Sequence, residues 1–138
     1  GFLRMPGGGA LMPASHESVD NREHFVKQDG RTVFKHAVTR ICEVTEELLE
    51  RNRLNSEDVA LYIPHQANIR ILEACSRKLS VPMDKIMVSV DRWANTTAAT
   101  IPTTLDLAME EGRIQQGDYV VFVTFGAGFT WGSTLVRY

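Results

Sequence analysis

The chain has 138 residues, 43% of them hydrophobic, and a formal net charge of −2. That is enough length and apolar content for one folded domain with a core, which excludes a disordered chain. The near-neutral balance excludes a global pull toward nucleic acid or a membrane surface, and no apolar run is long enough to span a bilayer.

Residues 1–30 have the composition of loops, with Pro6-Gly7-Gly8-Gly9 and Pro13-Ala14-Ser15 as turn signals. They read as a connector or extended arm, followed by a folded domain over residues 31–138. The start, Gly1-Phe2-Leu3-Arg4-Met5, lacks the apolar stretch of a signal peptide and reads as a piece of something longer.

From Thr32 the pattern turns helical: Phe34, Ala37, Val38, Ile41, Val44 and Leu48 share one spacing, with an end expected near Arg51 to Arg53. Val59 to Ile63 is a short apolar run that suits a buried parallel strand. A second helix is expected from about Ala67 to Leu79, and a second strand over Ile86 to Val90. A third helix, about Ala98 to Glu111, holds Pro102 in its first turn and stops at Gly112. Tyr119 to Phe125 is the most apolar strand. Trp131 to Tyr138 follows after so short a connection that the two should pair antiparallel. The order predicts an α/β fold, a mixed sheet with helices on its faces.

Three strand ends carry polar or glycine-rich clusters: Pro64-His65-Gln66-Ala67-Asn68, Asn95-Thr96-Thr97, and Phe125-Gly126-Ala127-Gly128. Strand carboxyl ends are where open α/β sheets bind ligands. A single histidine there is more often a cap or a satisfied polar contact. What raises His65 is its company, because Gln66, Asn68 and Asn95 add amide donors. A neutral histidine and an asparagine together can donate two hydrogen bonds to one oxygen, which suits a developing enolate or oxyanion. A metal is not expected, since no second histidine lies at i+4 and no carboxylate is near. For Asn95-Thr96-Thr97 the plain alternative is a helix N-cap, with Thr96 or Thr97 capping while Asn95 faces the site. The glycine turn lacks the following helix of a dinucleotide fingerprint, and a tight hairpin accounts for it equally well.

Lys35, Arg70, Arg77 and Lys78 are basic in a mildly acidic chain, and a solvated helix face would account for them alone. Cys42 and Cys75 read as buried structural thiols rather than a disulfide or a metal pair. No nucleophile is recognisable, so the polar set fits half of an active site.

Three segments carry a resemblance: Pro64 to Ile71, Asn95 to Pro102, and Phe125 to Ser133. In this order and spacing they resemble the carboxyl-terminal half of the 3-oxoacyl-[acyl-carrier-protein] synthase III family, from about residue 30 onward. The resemblance implies a thiolase-like fold, of which this chain would be one half of the αβαβα sandwich, in a cytoplasmic homodimer. It implies a Cys-His-Asn triad in which His65 and Asn95 match the histidine and asparagine. The cysteine belongs to the amino-terminal half, and neither Cys42 nor Cys75 matches it, so the chain alone is expected to be inactive.

The implied reaction is decarboxylative condensation of acyl-CoA, typically acetyl-CoA, with malonyl-[acyl-carrier protein], which opens type II fatty acid synthesis. Both substrates bring their own phosphopantetheine, and no cofactor, metal, nucleic acid or membrane is implied. Phe125 matches a phenylalanine that assists decarboxylation, and Ala127 a glycine whose amide contributes to the oxyanion hole. Gly30, Phe34 and Asn68 match residues lining the CoA channel. Lys35, Arg70, Arg77 and Lys78 match the basic face that meets the acyl carrier protein. Trp93-Ala94 replaces a pair that usually ends in glycine, and Ala127 replaces the middle glycine of the turn. Two other readings are a related synthase priming polyketide or quinolone-type pathways, and a non-catalytic acyl-carrier-binding module.

Overall fold

Backbone pairing, rather than an apolar core, ties down the start of the chain. The computed structural model describes residues 1–138. β1 (Leu3–Arg4) pairs antiparallel with β2 (Lys27–Gln28). Between them lies α1 (His16–Asp20), closed by a reciprocal capping box of Ser15 and Ser18. Ser18 Oγ also meets His24 Nε2 at 2.8 Å.

α2 (Gly30–Asn52) starts two residues earlier than its apolar spacing predicts, because Asp29 is the N-cap and accepts from Thr32 N at 3.1 Å. It ends at Arg53 in the left-handed conformation. β3 (Val59–Pro64) leads to α3 (Ile69–Leu79), whose N-cap is Asn68. The short α4 (Val90–Trp93) and a 3₁₀ turn over Thr97–Ala99 precede α5 (Thr100–Glu110). β4 (Tyr119–Gly126) and β5 (Thr130–Arg137) close the chain.

The main sheet has the order β3-β4-β5. β3 and β4 are parallel and β5 returns antiparallel along β4, as the short connection requires. β4 is apolar on both faces because it is covered on both. Val121, Val123 and Phe125 pack with residues of α2 and α3, including Ile41, Leu49, Leu72 and Cys75. Val120 packs the other way, with Leu61, Ile63, Leu107 and Ala108 against α5. The result is three layers, helix on sheet on helix. No helix is long and apolar enough to cross a membrane.

The expected strand over Ile86 to Val90 is corrected. That segment makes one parallel bridge, between Tyr62 and Ile86, and Met87 N donates to Tyr62 O at 2.9 Å. Beyond Met87 a side chain, that of Gln66, takes the hydrogen bonds a neighbouring strand would have taken.

Candidate active site

β3 ends at a proline, and the backbone then turns rather than continuing the ladder. His65 N still donates to Val123 O of β4 at 2.8 Å, which fixes the histidine over the sheet's carboxyl edge. Its ring is partly buried, and Nδ1 lies 2.6 Å from Thr100 Oγ1 at the start of α5. Burial lowers the His65 pKa from its ordinary value, which favours the neutral ring. Nε2 has no partner within the chain, so it is the nitrogen left for a ligand.

Gln66 does not face the site as an extra donor. It is 0% exposed, and its amide is fully used. Nε2 donates to Pro64 O at 2.8 Å and Met87 O at 3.1 Å, while Oε1 accepts from Ser89 N at 2.9 Å and Val90 N at 3.2 Å. One side chain therefore stitches the turn after β3 to the segment leading into α4 and Asn95. Asn68 Oδ1 accepts from Arg70 N at 2.9 Å, so this residue caps α3.

Asn95 is exposed, and its own Oδ1 accepts from Thr97 N at 2.9 Å. Neither Thr96 nor Thr97 caps α5 through its side chain, so the expected division of labour is corrected: Asn95 supplies the local turn bond itself. That bond occupies the carbonyl end of the amide and leaves Nδ2, the donor end, without a partner. His65 and Asn95 are thus held by their inner atoms, with one nitrogen of each free.

The third strand end is the β4–β5 hairpin. Ala127 is exposed, and its amide takes no partner in the chain. Five non-glycine residues have positive φ, namely Arg22, Arg53, Ser80, Ala94 and Thr97. Ala127 is not among them, so alanine fits there without strain and can present its amide. Gly128 is different: at φ 144° a Cβ would come within 2.9 Å of Thr130 Cγ2. Phe125 is 7% exposed and sits in the core beneath the hairpin, its ring 4.9 Å from that of Phe129.

The ring of Phe129 also lies 5.2 Å from His36 near the start of α2, which puts that end of α2 beside the hairpin. Gly30 opens α2, Phe34 is 38% exposed one turn on, and Asn68 caps α3. Lys35, Arg70, Arg77 and Lys78 are all exposed, and none joins an ion pair. Because α2 and α3 both run opposite to β3 between them, their N-terminal ends lie at the His65 edge. Lys35 and Arg70 belong to that edge, while Arg77 and Lys78 lie two turns along α3.

Cys42 and Cys75 share one core cluster, a meeting that their separation in sequence did not reveal. Both are free. The neighbouring Cys42 thiol and burial push the Cys75 pKa up, so it is a poor nucleophile. A cleft of about 390 Å³ opens at the far end of α2 between Glu46, Glu50, Leu54 and Tyr62, away from the candidate site residues. No cluster of three or more potential metal ligands is present.

A mixed α/β sheet clad by helices, with polar residues gathered at its carboxyl edge, is the architecture of half a thiolase-type sandwich. A solved 3-oxoacyl-[acyl-carrier-protein] synthase III from Aquifex aeolicus superposes with TM-score 0.82 at 42% identity, over 83% of this chain and 37% of that one. Residues 49–138 match the family described as 3-Oxoacyl-[acyl-carrier-protein (ACP)] synthase III C terminal, and the chain belongs to that family. Beta-ketoacyl-[acyl-carrier-protein] synthase III of Koribacter versatilis is 47% identical over 137 residues, which are 99% of this chain and 41% of that protein. The Solibacter usitatus protein of the same name is 49% identical over the same share of each. The chain therefore spans about two fifths of the length of these relatives.

Proposed function

We propose that this chain supplies the decarboxylation machinery of a β-ketoacyl-[acyl-carrier-protein] synthase III, completed by an amino-terminal half that carries the acylated cysteine. In the complete enzyme, malonyl-carrier protein loses carbon dioxide by cleavage of the bond between C2 and its carboxylate. The electron pair passes to C2 and, by conjugation, to the thioester oxygen. C2 then attacks the acyl-cysteine carbonyl, and the cysteine leaves as thiolate. His65 Nε2 and Asn95 Nδ2 donate to the thioester oxygen as charge builds on it. The Ala127 amide donates to the acyl oxygen during attack. The pantetheine runs past Gly30, Phe34 and Asn68 to the site, and Lys35, Arg70, Arg77 and Lys78 receive an acidic carrier protein.

The observation that carries this reading is that His65 and Asn95 are each tied down through one polar atom, leaving one nitrogen apiece free. Two preorganised donors are what an oxyanion requires, because no reorganisation is then needed as charge develops.

The test uses the completed enzyme. His65→Ala or Asn95→Ala should lower malonyl-thioester decarboxylation on the order of a hundredfold or more, while acyl transfer to the cysteine survives better. Decarboxylation at the parent rate by both variants would remove the role. Arg70→Glu with Lys78→Glu should raise KM for malonyl-carrier protein and leave a short malonyl-pantetheine analogue nearly unaffected. Salt should narrow that gap by weakening the parent. Equal losses with carrier protein and analogue would overturn the docking role.

A further inference from the structure

The ladder between β4 and β5 ends where Gly126 pairs with Thr130, so Ala127, Gly128 and Phe129 form a turn that no strand pairing holds. Ala127 and Gly128 are exposed. Thr130 Oγ1 donates to Ala127 O at 3.0 Å, a bond within the hairpin itself. Phe129 is therefore the side chain that ties the turn to the rest of the molecule, and it packs against the core cluster of Ile41, Cys42 and Phe125. Its ring meets three others, each from a different part of the chain. Phe125 of β4 lies 4.9 Å away, His36 of α2 5.2 Å and Phe2 of the arm 6.1 Å. Phe125 and His36 are tilted by 44° and 41°, whereas Phe2 is stacked at 22°. Both arrangements are attractive between aromatic rings.

Phe2 is brought there by backbone bonding. Its carbonyl oxygen accepts from Asp29 N at 2.9 Å, and Leu3 and Arg4 pair with Gln28 and Lys27. Asp29 is also the N-cap of α2, so the arm is registered on the helix that carries His36. Phe2 is 52% exposed, so this ring covers Phe129 from the solvent side, opposite the buried Phe125.

We propose that Phe2 is a positioning residue for the hairpin amide: by stacking on Phe129 it clamps the β4–β5 turn and keeps the Ala127 N–H aimed at the acyl oxygen. The inference rests on the reading of Ala127 as a donor to that oxygen. A donor stabilises developing charge only if it is already in place, and Gly128, beside Ala127, gives the turn no side-chain restraint of its own. His65 and Asn95 are held by bonds that do not involve the hairpin turn. Loosening the turn therefore weakens the steps that put charge on the acyl oxygen, and spares decarboxylation, which puts charge on the thioester oxygen of the malonyl group.

Phe2 lies in the arm, outside the main sheet, so Phe2→Ala leaves the core intact. In the completed enzyme, Phe2→Ala should lower kcat for acyl transfer from acyl-CoA to the cysteine about tenfold, the scale of one stacked aromatic pair, with little change in KM. Malonyl-thioester decarboxylation should stay at the parent rate. Phe2→Tyr, which keeps the ring, should retain most of the acyl-transfer rate. The amide order parameter of Ala127, measured by nitrogen NMR relaxation, should fall in Phe2→Ala and hold in Phe2→Tyr. An unchanged order parameter in Phe2→Ala overturns the inference. So does a loss confined to KM, which would make Phe2 a wall of the channel, or an equal loss of acyl transfer and decarboxylation, or equal losses in the alanine and tyrosine variants. Lactic acid in place of Ala127 exchanges the N–H for an ester oxygen. Parent acyl transfer in that protein would instead sink the reading of the Ala127 amide, with the order parameter still reporting on Phe2.

Discussion

The turn after β3 and the loop before α5 each deliver one residue to the candidate site, and they are built in opposite ways. The first is locked. Gln66 is buried with every polar valence used, and the His65 backbone is bonded to β4. The second is exposed from Asp91 to Ala99 and strained. Ala94 sits at φ 56°, ψ −157°, a region that is essentially restricted to glycine, and Thr97 has φ 55°. Asn95 lies between them. The histidine is thus oriented by satisfied hydrogen bonds, the asparagine by a backbone whose distortion the rest of the fold must offset. Buried hydrogen bonding and exposed strain are different means to one end, and they respond to different substitutions.

The largest expected effect breaks the locked side. Gln66→Leu removes two donors and two acceptors from buried backbone groups at Pro64, Met87, Ser89 and Val90. At about 1 kcal/mol or more for each stranded group, the loss should reach about 3 kcal/mol or more. The midpoint of urea unfolding in the intact polypeptide measures it. A loss below about 1 kcal/mol would mean that other contacts hold the segment after Met87.

This residue also marks where the sequence was legible and where it was not. β3, β4 and β5 were readable because their apolar runs and short connection depend on local pattern, and the structure has them parallel and antiparallel as expected. The segment from Ile86 to Val90 has the same apolar look but is a bridge and a turn. Its partner is a side chain from a position more than twenty residues earlier, which no periodicity encodes. The polar clusters were legible as motifs, and they fall at the ends of β3 and β4 and just before α5. The contact of Thr100 with the His65 ring was not legible, because it joins positions 35 apart. A buried threonine four residues before Thr104 on an otherwise apolar helix face was the available signal. The arm is a similar case. Its pairing of Asp29 N with Phe2 O and Gly7 N with Glu23 O joins positions whose local composition reads only as loop.

A smaller effect should relieve the strained side. Ala94→Gly places the residue type that tolerates φ 56°, ψ −157° where alanine is forced. The strain released, about 1–3 kcal/mol, exceeds the added chain entropy of glycine, about 0.5–1 kcal/mol. The net should be a stabilisation of about 1 kcal/mol. Ala37→Gly, a buried alanine inside α2, is the contrast and should destabilise. If both glycine variants lose stability alike, the loop before Asn95 relaxes out of this conformation and the strain is not retained.

The smallest effect separates the two sides by pH. His65 has its pKa lowered in the folded state from the ordinary 6.5, and the cause is burial. Between the lowered folded value and 6.5, the unfolded chain binds more protons than the folded one. Stability must therefore rise with pH through that window, and fall as pH drops through it, by at most about 1.4 kcal/mol per pH unit for one group. Above the window both states are neutral at this residue and it contributes no slope. His65→Gln removes the titration while keeping a polar group at the turn. The difference in unfolding free energy between parent and His65→Gln cancels the other titrating groups and isolates this one. It should be constant at high pH and shift against the parent as pH falls below 6.5. Asn95→Ala, which removes no titrating group, should leave the parent's pH slope in place. A parent-minus-variant difference that stays flat as the solution is acidified would mean that the His65 ring is hydrated in the folded chain. The locked side would then be open to water as the Asn95 loop is, and the contrast between the two would rest on strain alone.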